Sequence, residues 1–196
     1  MATLIAGAAS VALVALPSAA HAVELTADYD ASGTSHIAST DSDIWIKPTT
    51  LSVTVDMTTS AISGHLPLKP ADTKFHVAGF LPVKAQVNFE EAAPLTGKLG
   101  RGRVDTQASY FLRLSDVLIG GIPSPVGSNC RTKEPVVISA STPEGGTFNL
   151  DSGGKLTGEY AIGDFEDCLL NTGMINLLVP GTGNTLDVDV ANGRLG

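Results

Sequence analysis

No Asp, Glu, Lys or Arg precedes Glu24, only two cysteines occur in 196 residues, and Phe, Trp and Tyr make up 5% of the chain. Each scarcity removes a class of function. Twelve Lys and Arg stand against twenty Asp and Glu, a formal net charge of −8. A phosphate backbone demands a basic surface, so nucleic-acid binding is excluded. The G-x-S-x-G elbow of the α/β-hydrolases is absent. His36, His65 and His76 show no H-x-H, H-x-x-E or H-E-x-x-H spacing, so neither a zinc site nor a nucleophile triad is signalled. No carboxylate pair takes acid and base roles from spacing alone. These absences favour a non-catalytic protein without cofactor or metal.

The uncharged start is itself a pattern. An apolar run from Leu4 to Leu16, the helix breaker Pro17 and the small-x-small triplet Ala20-His21-Ala22 read as a secretory signal peptide cleaved after Ala22, although its basic n-region is missing. The run is shorter than the ~20 residues needed to span a bilayer, and no second stretch qualifies, so no transmembrane helix is expected in the mature chain. Residues 23–196 are then one exported domain, secreted or associated with the cell envelope. In an oxidising compartment Cys130 and Cys168 read as a disulfide. A redox role would want CxxC or a neighbouring base, and neither is present.

What the chain does have is a pattern written three times. Thr54-Val-Asp-Met57 leads through a gap to Ile62-Ser-Gly-His-Leu66. Gln86-Val-Asn-Phe89 leads to Leu95-Thr-Gly-Lys-Leu99, and Thr147-Phe-Asn-Leu150 to Leu156-Thr-Gly-Glu-Tyr160. Each predicts a hairpin. Period two places Val55, Val87 and Phe148 inward, Asp56, Asn88 and Asn149 outward, and Gly64, Gly97 and Gly158 inward, where a missing side chain permits a bulge or close approach of an opposite sheet. Alternation in Leu25–Ala31, Leu51–Met57, Ala108–Leu114 and Leu186–Val190 predicts further strands, and Val136–Ala140 a buried one. Only Leu169–Val179 resists, with apolar residues three to four apart, and reads as a short helix or buried loop stopped by Pro180.

Candidate binding residues sit between these strands. Trp45, the sole tryptophan, is either a core or edge plug or a sugar-stacking platform. Tyr110 and Arg113 are a second candidate contact. Lys98, Arg101, Arg103, Arg113, Arg131 and Lys133 could receive an anionic partner if they share a face, or could be scattered surface charges. Asp28-x-Asp30-x-Ser32-Gly33 imitates a calcium loop but has Ser39 where the bidentate Glu should stand. Glu90-Glu91 reads as a solvated turn. Asp164, Glu166 and Asp167 crowd before Cys168 without a fixed geometry for a cation.

The segment Tyr110-Phe-Leu-Arg-Leu-Ser-Asp-Val through Gly121-Ile-Pro, Cys130-Arg-Thr and Pro135-Val, with Leu156-Thr-Gly-Glu-Tyr and Pro180-Gly-Thr-Gly-Asn-Thr, resembles small exported β-rich proteins of high-GC Gram-positive bacteria, the actinobacteria. The resemblance covers the second half of the chain and implies an exported β-rich domain. Strand spacing with Gly and Pro punctuation argues an all-β fold, an antiparallel, Greek-key-like β-sandwich of about ten strands with one disulfide, or alternatively a β-barrel. The function expected is a non-catalytic binding module for a wall polymer, a lipid-like ligand or a protein partner. The alternatives are an extracellular hydrolase with an unrecognised site and a structural surface or coat component.

Overall fold

The computed structural model describes residues 23–196; the expected signal peptide lies outside them. The strands in chain order are β1 (Glu24–Ile37), β2 (Ser42–Asp56), β3 (Ala61–His65), β4 (Ala71–Val77), β5 (Leu81–Leu99), β6 (Val104–Ile119), β7 (Ile122–Pro123), β8 (Arg131–Thr132), β9 (Val136–Ser141), β10 (Gly153–Ile162) and β11 (Phe165–Glu166). A 3-10 turn (Leu169–Asn171) and helix α1 (Thr172–Leu178) follow, and β12 (Gly181–Leu195) ends the chain. All pairings are antiparallel. Hydrogen-bonded neighbours followed from β1 through β2, β3, β5, β6, β9, β10 and β12 lead back to β1. The strands therefore do not divide into the two separate sheets that a sandwich requires. They form a closed barrel, the alternative architecture, with β4, β7, β8 and β11 as excursions from an up-and-down path. Closure removes the unpaired edges that an open sheet would expose. The all-β character and the Cys130–Cys168 disulfide, at an S–S distance of 2.01 Å, are as expected.

The wall is tall because its strands are long. β5 runs 19 residues and β6 16, against a usual length of about five to six. Strands of that length stay on a closed surface only by coiling. Register shifts between Ala31 and Gly33, Lys84 and Gln86, and Glu91 and Ala93 supply part of the bend. Opposite the shift at Lys84, Asp116 takes a left-handed backbone (φ 49°) and returns Val117 to the inner face. This bulge explains why Val117 breaks the period-two pattern of β6.

The barrel has two tiers. Tyr29, Val53, Val55, Leu95, Phe148, Leu156 and Val190 pack the lower one, where the described chain begins and ends. Ile37, Ile44, Val87, Leu112, Leu114, Phe165 and Ile175 pack the upper one. There β4 replaces β3 beside β5, and β8, β11 and α1 replace β9 beside β6. The disulfide ties this added wall together. Beside it, the Leu114 amide donates to the Cys130 carbonyl at 2.8 Å.

The three sequence copies play a different role from the one expected. The first joins β2 to β3 as a hairpin, and the third is a tight turn in which Asn149 and Gly153 exchange backbone hydrogen bonds. The second contains no turn. Residues 86–99 are one strand, and Glu90–Pro94 is its bulged middle, paired to β6 on both sides. The three glycines nevertheless do one job. A Cβ at Gly64, Gly97 or Gly158 would run into the carbonyl oxygen of Ser52, Asp105 or Ser139 respectively, each on the adjacent strand and not on an opposite sheet. They are the points where the coiled wall folds onto itself.

Candidate functional site

The barrel is incompletely filled, and what remains empty is apolar. A void of about 70 Å³ lies at the upper end. Ile44, Val87, Leu112, Leu114 and Val117 wall it, and Met174, Ile175, Leu178 and Val179 of the α1 segment close it from above. No charged side chain lines it. Thr40, Ser42 and Thr73 also border it, but their hydroxyls are turned to one another and scarcely face the void: Thr40 Oγ1 lies 2.7 Å from Ser42 Oγ, and Thr73 Oγ1 donates to Ser42 Oγ at 3.3 Å. A second void of about 60 Å³ lies below, lined by Ile46, Leu51, Leu68, Tyr110, Ile138 and Leu186 among others. A third of about 30 Å³ follows near Tyr29 and Phe148. Empty volume of this kind stays dry and accepts hydrocarbon.

The covering helix is short and lightly held. Ile175 is the only buried residue of α1. Asn176 anchors it sideways, accepting from the Phe165 amide at 2.7 Å and donating to the Phe165 carbonyl at 3.0 Å. At its C-terminal end Ser39 Oγ donates to the Val179 carbonyl at 2.7 Å. Before it, Asn171 Nδ2 donates to the Pro125 carbonyl at 2.7 Å. Leu169, directly after Cys168, takes a left-handed backbone (φ 55°) and turns its side chain out. That conformation costs about 1–2 kcal/mol for a residue with a Cβ. Seven residues alone would not hold a helix in water, so α1 exists because it packs over the void.

The residues singled out in the sequence do not converge. Tyr110 points inward, 2% exposed, with its hydroxyl donating to the Leu66 carbonyl at 2.7 Å and its ring edge-on to Phe89. Burial and the nearby Glu91 carboxylate push its phenol well above the ordinary tyrosine range. Arg113 points outward three residues on, and its Nε donates to Glu90 Oε1 at 2.7 Å. Trp45, 56% exposed, stands on the outer face of β2 across from Thr34, so it is not a core plug. Around the lower wall β3 and β5 separate its strand from that of Arg113. Half of the basic interval, Arg103, Arg113 and Arg131, is engaged locally. Arg131 lies 4.5 Å over the Phe111 ring, and Arg103 donates to the Thr142 carbonyl at 2.9 Å. The paired glutamates form no free turn either: Glu91 accepts from the Leu66 amide at 2.7 Å and pairs with His65.

The remaining polar sites are open. His36 Nδ1 lies 2.9 Å from Asp43 at the β1–β2 turn, His65 is exposed at the end of β3, and His76 is exposed on β4. A depression on the outer wall, about 430 Å³, is bordered by Asp28, Ser52, Ser63, His65 and Arg194, with no Trp, Tyr or Phe in it. Ser52 already donates to Asp28, and Arg194 pairs with Asp30. Among the described residues no group of His, Cys, Asp and Glu is placed to hold a metal ion. The sequence signal for the void and its cover was available. Residues 77–83, 117–130 and 168–186 contain no charged residue, and all three border the upper end. The chain matches no known protein family, no curated protein and no solved structure.

Proposed function

We propose that this chain is an exported, non-catalytic β-barrel that holds an uncharged, lipid-like ligand in its upper chamber. The observation that carries the reading is the lining: almost wholly apolar, built of aliphatic side chains, with no charge. An uncharged head costs less to bury there than a carboxylate, which would meet no cation and would cost several kcal/mol. The chamber is small beside the roughly 300 Å³ of a full ligand pocket, so anything longer than a few carbons must push α1 outward or reach past Tyr110 into the middle void. Export rests on the N-terminal signal, and the disulfide is compatible with it.

A wall polymer has less in its favour, since the outer depression offers no Trp, Tyr or Phe ring for a sugar to stack on and Trp45 lies outside it. The hydrolase alternative needs a histidine and a carboxylate converging in a cleft; His65 and Asp28 do border the outer depression, but His65 bonds Glu91, Asp28 accepts from Ser52, and no hydroxyl is hydrogen-bonded to His65, so the groups are not arranged as a nucleophile and its base. The test is a thermal-shift titration of the purified protein with 1-decanol and with decanoate at pH 8. The alcohol is expected to raise the unfolding temperature and the matched carboxylate to leave it unchanged. No shift with either, or an equal shift with both, overturns the reading.

A further inference from the structure

The upper end of the barrel carries a crown of apolar side chains with no role in the core. Phe80 at the β4–β5 turn is 76% exposed, Ile122 at the β6–β7 turn 72%, Leu177 on α1 83%, and Leu170 before it is fully exposed. Leu169 joins them at 61%. Apart from Val23, the first described residue, these are the most exposed large apolar residues of the described chain, and all lie at one end. Single exposed apolar residues are ordinary; a cluster of them is not.

The charges divide the same way. The crown segments 77–83, 117–130 and 168–186 have none, whereas the turns at the opposite end carry Lys98, Arg101, Arg103, Glu144 and Asp151. We infer that the crown docks the barrel, chamber end first, on a lipid surface of zwitterionic headgroups. Three features favour lipid over a protein. The crown residues protrude from turn tips and a helix back, and the depression of about 470 Å³ among them is bordered by Ser128, Asn129, Asp167 and Thr172 beside Leu169, a shallow polar hollow and not an apolar groove for a partner's side chains. An uncharged surface that places leucine and phenylalanine outward matches hydrocarbon, which takes any shape. The apolar chamber opens, once α1 moves, directly beneath the same residues. Asp41, Asp116, Asp164 and Asp167 flank this end against Lys84 and Lys133, an acidic excess that disfavours anionic headgroups. The inference rests on the chamber reading only for what is delivered there.

The experiment is flotation of the full mature chain with phosphatidylcholine vesicles, comparing wild type with a Phe80→Glu, Ile122→Glu, Leu170→Glu, Leu177→Glu variant and with Val137→Glu on the side wall. Wild type and Val137→Glu are expected to float equally. The fourfold variant, whose substitutions are all exposed, is expected to keep its unfolding temperature and its shift with decanol while losing at least tenfold in vesicle partitioning. That pattern separates docking from chamber binding. Failure of wild type to float, an equal loss with Val137→Glu, or self-association in sedimentation that the crown substitutions abolish would each overturn the inference.

Discussion

Filling the upper chamber tests the barrel and its proposed use together. Ala85 is buried on the inner face of β5 and lines the void, so Ala85→Ile adds three carbons where the wall is empty. A β-branched side chain suits the strand backbone. Empty volume costs about 24 cal/mol per Å³, which for a void of about 70 Å³ amounts to about 1.7 kcal/mol recoverable by filling it. For a domain of this size each kcal/mol moves the midpoint by about 2–4 °C, so the variant is expected to melt about 3–7 °C higher. It is also expected to lose the decanol shift, because the ligand's place is taken. Thermal unfolding followed by circular dichroism, with and without decanol, reads both. Were the chamber packed tightly instead, the same substitution would overfill it and cost about 1–3 kcal/mol. A lowered melting point with an intact decanol shift would refute the argument.

Removing the disulfide as Cys130→Ala with Cys168→Ala frees a loop with a sequence separation of 38, worth about 4 kcal/mol on a chain-entropy account. The midpoint should fall by about 8–16 °C, with amide exchange in α1 accelerating before that in β10; a loss under about 1 kcal/mol would contradict this. Gly97→Ala should cost about 1–3 kcal/mol in chemical denaturation, because its Cβ meets the Asp105 carbonyl, while Gly163→Ala, with open space around it, should be neutral. The chain's three tyrosines, Tyr29, Tyr110 and Tyr160, all have phenols raised chiefly by burial. A raised folded pKa means stability fully present below the ordinary tyrosine value near 10 and lost as pH climbs through the folded values. Absorbance at 295 nm should therefore stay flat through pH 10 and rise only with unfolding. Tyrosinate appearing reversibly at pH 10 in the folded protein would refute it.

Much of the wall was legible because it follows from period two. Leu51, Val53 and Val55 are buried in alternation with their neighbours, as a half-buried strand demands. Leu169–Val179, which broke the pattern, is the one helical segment among the described residues. Closure was less legible, since alternation says which face is inward but not which strand lies beside which. That decision rests on the pairing of β5 with β6 along their whole length. Glu90–Pro94 misled for a related reason. Its charged and proline residues look like a turn, yet Glu90 and Glu91 are held by Arg113 and by the Leu66 amide on neighbouring strands, so the chain continues as a bulge. Trp45 looked like a functional platform or a plug and is an outward residue of β2. The chamber left no trace in any single stretch, because a void is what the packing of seven or eight strands fails to fill. The uncharged segments around it were visible, but apolar residues in a sequence are assigned to the core by default.

The crown and the chamber are linked through the energetics of α1. Lifting the helix exposes Ile175 and breaks the bonds of Asn176 with Phe165 and of Ser39 with Val179, a cost on the order of 5 kcal/mol. At about 1.4 kcal/mol per factor of ten, the open form in water amounts to about one molecule in several thousand. At a lipid surface the balance changes. Leu177 and Leu170 leave water for hydrocarbon, each side chain contributing up to about 2 kcal/mol, and Ile175 and Met174 can follow without meeting water. Opening that is rare in solution then becomes common where the ligand is. The consequence is kinetic. Transfer of a fluorescent long-chain alcohol from the protein to phosphatidylcholine vesicles should speed up in proportion to vesicle concentration, because exchange happens on contact. The Leu170→Glu, Leu177→Glu variant should transfer at a slow rate that vesicle concentration does not change. A wild-type rate independent of vesicle concentration would mean that the ligand leaves through water, and the coupling between helix and crown would be refuted.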